Sequence, residues 1–275
     1  MTTFGARLDT ALDAHGSLCV GIDPHAALLA SWGLSDDAIG LGRFADACVA
    51  AFAGRVALVK PQSAFFEVYG SAGIAVLERT VGALREAGTL VLLDVKRGDI
   101  GTTMAAYARA YLDPASPLAV DAITVSPFLG VGSLAPAFDL ADEHGGGAFV
   151  LAATSNPEGP QFQHAVTAAG ASVAQTVVTE VGARNAGAAP LGSFGVVAGA
   201  TITEAPSFEQ LNGPILAPGV GAQGGTADDV RRLFGASLRN VVPSVSREVL
   251  RAGPDVAGLR DAVDRLVGDF AFLRG

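Results

Sequence analysis

The sequence predicts an α/β protein, a (β/α)8 TIM barrel, on three observations. Eight short apolar runs of strand type recur along the 275 residues, with helical segments between them. Such alternation suits a parallel sheet wrapped by its own crossover helices. The runs read as apolar on both faces, as buried parallel strands should. Polar and charged residues gather where the runs end, at the C-terminal side where barrels carry their chemistry. A doubly wound open sheet is the alternative topology.

In chain order, "SLCVGID" (17–23) ends in Asp23 and "VALVKP" (56–61) brings Lys60 to its end. The segment "GIAVLERTVGALREAG" (73–88) is apolar at helical spacing and stops at a glycine. Next, "TLVLLDVK" (89–96) runs into Asp94 and Lys96, and "AITVSP" (122–127) into Ser126. "AFVLAAT" (148–154) closes on Thr154 and opens the polar stretch "TSNPEGPQFQ" (154–163), a candidate mobile loop over a site. "FGVVAGA" (194–200) and "PILAPGV" (214–220) supply strands six and seven. The glycine-rich "PGVGAQGGT" (218–226) leads into "TADDVRRLFGA", where Thr226 reads as an N-cap with Asp229 three residues on. Finally "NVVPSVS" (240–246) delivers Arg247. No linker, repeat or low-complexity block interrupts the series, so residues 1–275 read as one domain.

Composition narrows the class. Half of the residues are apolar (50%), 16% are charged, and mean hydropathy is +0.41, ample for a large core. No run of eighteen or more uncharged apolar residues occurs, and the N-terminus lacks a basic region followed by an apolar one. The expectation is a cytoplasmic protein with no membrane association. A net charge of −9 and a pI near 4.8 give no basic field for nucleic acid. Cys19 and Cys48 lack metal spacing and read as buried thiols. His15, His25, His144 and His164 form no visible ligand set, so no metal is expected.

One count is sharper. Of 18 basic residues only Lys60 and Lys96 are lysines, and both stand at the polar end of an apolar strand. Arginine serves everywhere else, which marks these two as positions where a compact, titratable ammonium is required. Strand pleating puts Leu92, Asp94 and Lys96 on one face, aimed together into the barrel mouth. Asp99 lies beyond Gly98 and is free to point elsewhere. A structural ion pair would rarely be buried at this cost when apolar packing serves as well. After strand seven, glycines let the backbone approach an anion, and Arg247 after strand eight can grip one bidentately.

The stretch Asp94-Val95-Lys96-Arg97-Gly98-Asp99 has the Asp-x-Lys-x-x-Asp form of the orotidine 5'-phosphate decarboxylase family. The chain resembles that family throughout, with Lys60 ending strand two, Ser126 ending strand four, "APGVGAQ" after strand seven and Arg247 after strand eight. "LLDVKRGDIGTT" and "PSVSRE" are in the style of its longer bacterial branch. Ser246 departs from the glycine many members carry before the arginine. The resemblance implies cofactor-free decarboxylation of orotidine 5'-phosphate to uridine 5'-phosphate, the last step of pyrimidine synthesis. It further implies a homodimer in which Asp99 and Thr103 reach the neighbouring site. Asp23 and Lys60 would hold the ribose, Ser126 the pyrimidine, and Gln223 with Arg247 the phosphate, beside Pro218 and Gly219. Lys96 would stabilise the carbanion and protonate it, which arginine, with its high pKa, would not readily do. Asp94 beside the substrate carboxylate would repel it by on the order of 4 kcal/mol at ~4 Å and an effective dielectric of about 20.

Three rivals share parts of the pattern. A Schiff-base aldolase acting on a sugar phosphate would also place a lysine near a phosphate site, but it needs a neutral amine. Carboxylates two and three residues from Lys96 favour an ammonium instead. A metal-dependent sugar-phosphate decarboxylase could carry the same motif. A non-enzymatic phosphate-binding barrel would have little use for the complete charged set.

Overall fold

The computed structural model describes residues 2–275. Eight parallel strands close into a barrel in sequence order: β1 (Cys19–Ile22), β2 (Leu58–Pro61), β3 (Leu90–Arg97), β4 (Ala122–Val125), β5 (Gly147–Ala153), β6 (Phe194–Ala198), β7 (Ile215–Pro218) and β8 (Val241–Val245). Closure is made by β1 against β8, with Cys19 opposite Ser244. Every strand lies within the apolar run that predicts it or overruns it by one residue.

Side chains alternate between two cores. Leu58, Leu90, Leu92, Phe149, Leu216 and Val242 fill the barrel interior. Val59, Val91, Leu93, Ile123, Val150 and Val196 face the surrounding helices. The helix Phe4–His15 is an exception to the outer ring. Its Phe4, Leu8 and Leu12 repeat every fourth residue and join the interior cluster, so this helix closes the barrel floor. Phe4 meets Phe149 edge-on at 6.1 Å between ring centroids. Arg7 pairs with Asp121, whose other oxygen accepts from the Val91 amide.

The helix expected at 73–88 spans Gly70–Glu86. The helix Ala227–Phe234 begins at Thr226 with a complete capping box to Asp229. The polar stretch 154–163 ends in a short helix, Pro160–Gln163. It is tied back to β5, since the Thr154 amide donates to Gln163 Oε1 (2.9 Å) and Gln163 Nε2 donates to Thr154 Oγ1 (2.7 Å). No helix among the described residues is long and apolar enough to cross a membrane.

Candidate active site

The C-terminal strand ends surround a cleft of about 270 Å³. Eight sequence-predicted residues line it: Asp23, Lys60, Asp94 and Lys96 from the ends of β1 to β3, with Pro218, Gly219, Gln223 and Arg247 from the end of β7 and the segments after β7 and β8.

Asp94 is the centre of the charged residues and is only 7% exposed. Its Oδ1 accepts from Lys96 Nζ (2.6 Å) and Thr124 Oγ1 (2.7 Å), and its Oδ2 accepts from Lys60 Nζ (3.0 Å). Gln62 completes the set once its amide is oriented by its charged neighbours: only with the nitrogen toward Asp94 Oδ2 and the oxygen toward Lys96 Nζ (3.3 Å) are both ends satisfied. Burial alone would push the Asp94 carboxyl upward, but Lys60 and Lys96 outweigh it and hold the group at about 2. Burial likewise opposes the Lys60 ammonium, yet Asp23 and Asp94 prevail and raise it above the ordinary lysine range. The result is an array of alternating sign in which Lys60 and Asp94 are buried and Lys96 opens to the cleft, tolerable because its charges are paired and hydrogen-bonded.

The backbone delivers Lys96 in an unexpected way. Pleating predicts that Asp94 and Lys96 share a face, and both do line the cleft. The strand does not remain regular, however. Lys96 has φ +46°, and the pairing of β3 with β4 shifts register between Leu93 and Arg97. The Lys96 amide is taken up by Thr124 Oγ1 at 2.9 Å. A left-handed residue at the end of a buried strand is costly and persists where its surroundings over-determine it, as active sites do.

Asp23 Oδ1 and Ser246 Oγ are buried and have no hydrogen-bond partner among the described residues. Both residues line the cleft, so a carboxylate oxygen and a hydroxyl are left to a ligand. Gly21 is required beneath them, because a Cβ there would lie 2.8 Å from Ser246 Cβ.

The loop after β7 turns at Gly219 (φ +96°) and folds on itself through Gly225 N to Gly219 O (3.0 Å). This brings Gln223 to the cleft. The adjoining helix already carries negative charge at its N-terminus, because Asp229 accepts from the Thr226 amide and Asp228 stands in the same first turn. The polar groups for an anion are therefore Gln223 and Arg247. The Arg247 side chain is exposed and makes no ion pair among the described residues.

Asp99, Thr103 and Ser126 do not line the cleft. Asp99 accepts from the Ile100 amide at 2.8 Å, and Thr103 is exposed on the first turn of the helix Gly101–Leu112. Ser126 is half-buried, and its amide donates to Arg97 O at 2.7 Å. Arg97 itself is anchored by Glu67 (3.0 Å) and by the Tyr111 hydroxyl (3.2 Å), which fixes the Lys96–Asp99 loop from behind.

Gln62, Thr124 and Ser244 are functional candidates that the strand-end reading missed. Strand pleating places the first two: Gln62 is two residues from Lys60, and Thr124 is two from Ala122, which faces the barrel interior. The thiols offer no nucleophile. Burial pushes Cys19 up to about 12 and raises Cys48 as well. His25 is occupied as a helix cap, with Nδ1 accepting from the Leu28 amide at 3.3 Å.

A family model described as "Orotidine 5'-phosphate decarboxylase / HUMPS family" matches residues 16–262. The chain belongs to this family. An orotidine 5'-phosphate decarboxylase from Salinispora arenicola is 63% identical over 270 residues, covering 98% of this chain and 97% of that protein. Another, from Streptomyces coelicolor, is 62% identical over 266 residues, covering 96% of each. A crystal structure of a Streptomyces avermitilis homologue superposes with a TM-score of 0.96 at 58% identity, covering 99% of this chain and 96% of that one. Within the orotidine 5'-phosphate decarboxylase family, the Asp-x-Lys-x-x-Asp stretch is thus carried here by the bent end of β3. The aldolase reading is not favoured by any of these likenesses.

Proposed function

We propose that this chain decarboxylates orotidine 5'-phosphate to uridine 5'-phosphate and carbon dioxide, without a cofactor, as a single-domain cytoplasmic enzyme. The observation that carries the reading is the Lys60–Asp94–Lys96 array at the mouth of a phosphate-competent cleft. The bond between ring C6 and the carboxylate breaks, leaving its electron pair on C6. The Lys96 ammonium lies against the developing carbanion, stabilises it, and transfers a proton from Nζ to C6. Solvent then restores the ammonium. Asp94 stays ionised throughout, because Lys60 and Lys96 hold it so, and it repels the departing carboxylate. The orphaned oxygen of Asp23 accepts from a ribose hydroxyl, and Lys60 donates to the other. Ser126, just past the end of β4, is the residue assigned to the pyrimidine. Gln223 and Arg247 hold the phosphate, whose binding energy orients the ring.

The same reading makes the enzyme a homodimer. Asp99 and Thr103 lie outside the cleft of their own chain, the position that service to a neighbouring site requires. Ile100 (62%), next to Asp99, exposes a large apolar side chain, as do Phe128 (77%), Leu129 (51%) and Phe162 (56%), and Phe128 and Phe162 stack edge-on at 5.9 Å. An exposed apolar collar of this kind marks an interaction surface. The test is the loss of ultraviolet absorbance as orotidine 5'-phosphate is consumed in the presence of a chelator. Turnover is expected; none, or turnover that depends on added metal, would overturn the reading.

A further inference from the structure

An ammonium carries three N–H donors, and in this cleft two of the three on Lys96 are accounted for. One goes to Asp94 Oδ1 at 2.6 Å and one to Gln62 Oε1 at 3.3 Å. The third is left for the cleft that Lys96 lines. Gln62 is not a passive neighbour in this arrangement. Its Nε2 donates to Asp94 Oδ2, the oxygen that also receives Lys60. A single amide therefore spans the carboxylate and the proton donor, with the only polarity that fits both: a donor toward the anion, an acceptor toward the cation.

Backbone contacts hold Gln62 in place. Its amide N–H donates to Ile22 O at 3.1 Å, its residue bridges to Asp94 beyond the end of β2, and its carbonyl accepts from the Phe65 amide at 3.2 Å. The side chain is thus rooted on the barrel rather than on a mobile loop.

From this geometry we propose that Gln62 is a positioning residue for proton delivery: it fixes the rotation of the Lys96 ammonium so that its remaining N–H faces the reacting carbon. The inference rests on the decarboxylase reading above. Gln62 bears no formal charge, so it orients the array without altering its charge balance. A residue with this role affects the chemical step far more than ground-state binding of the nucleotide. Loss of a charge-assisted hydrogen bond of this kind costs about 10- to 100-fold in rate.

The test compares wild type with Gln62→Ala and Gln62→Glu, measuring kcat, KM and the affinity for uridine 5'-phosphate across pH. Gln62→Ala is expected to lower kcat at least about tenfold, with KM and product affinity within about threefold of wild type. In Gln62→Glu the introduced carboxyl faces Asp94, with Lys96, Lys60 and Asp23 around it. When protonated it copies the amide, with an O–H toward Asp94 and a C=O toward Lys96; when ionised it repels Asp94. The ratio of its kcat to that of wild type is therefore expected to rise as pH falls, whereas the ratio for Gln62→Ala stays flat. A merely structural role would produce neither the split nor the opposed pH profiles. An unchanged kcat in Gln62→Ala, equal loss in KM and product affinity, or a flat profile for Gln62→Glu would each overturn the proposal. Should Gln62→Glu not fold, Gln62→Met, which keeps the length and loses both polar ends, decides by the same split of kcat from KM. Failure of the underlying reading would show separately, as absence of turnover by wild type.

Discussion

Replacing Asp94 by asparagine removes the negative charge between Lys60 and Lys96 while keeping the size of the side chain. Asp94 is held at about 2 in the folded protein against an ordinary 3.8. At 1.36 kcal/mol for each pKa unit, the ionised carboxylate contributes about 2 kcal/mol to folding. Its side chain is 9% exposed, so solvent screening removes little of this. Because the folded value lies below the unfolded one, the contribution is complete above roughly pH 5 and fades as pH falls toward 2. Asparagine copies the protonated form. Urea unfolding at fixed protein concentration should therefore find Asp94→Asn less stable by about 2 kcal/mol at pH 7, or lower in Tm by about 4–8 °C. The difference should shrink toward zero as pH falls from 5 to 2. A variant as stable as wild type at pH 7, or a deficit independent of pH, would refute the claim that the two lysines stabilise this carboxylate.

Further outcomes follow from the same geometry. Lys96→Arg keeps the positive charge but not a readily transferable proton, so kcat should fall by about 10²–10⁴-fold or more while uridine 5'-phosphate still binds. Arg247→Ala should weaken nucleotide binding about 10- to 100-fold by calorimetry, with little effect on the affinity for the nucleoside, which lacks the phosphate. Asp99→Ala and Lys96→Ala, each inactive alone, should recover about one quarter of wild-type activity when mixed and allowed to exchange, since half the dimers then carry one intact site. No recovery despite proven exchange would count against a shared site.

Much of this arrangement is legible in the sequence. Buried parallel strands must be apolar, so the polar residues that remain at their ends stand out, and Asp23, Lys60, Asp94 and Lys96 are all found that way. The two lysines among 18 basic residues single out Lys60 and Lys96, both of which line the cleft, before any geometry is known. Other features depend on packing across the barrel. The Phe4–Leu8–Leu12 stripe is a readable helical face, but its turn beneath the barrel is settled by the cavity it fills. The left-handed backbone of Lys96 arises where Thr124 and Asp94 capture its amide and its ammonium, partners supplied by another strand and by its own. Gln62 follows a proline and carries no charge, so nothing in composition draws the eye to it. Only the proximity of β2 to β3 reveals that its amide spans Asp94 and Lys96. The glycine-rich segment after β7 reads as an anion loop beside a helix N-terminus. In the fold that terminus is capped by Asp229, while Gln223 and Arg247 line the cleft.

In the proposed reaction the ammonium of Lys96 delivers the proton that completes decarboxylation. The direct measurement is single-turnover conversion of orotidine 5'-phosphate by wild type and by Lys96→Ala at equal enzyme saturation, with uridine 5'-phosphate affinity measured in parallel. Wild type should turn over rapidly and the variant should lose at least about 10²-fold, with nucleotide still bound. A variant that binds the nucleotide and turns over at the wild-type rate would contradict this role of Lys96.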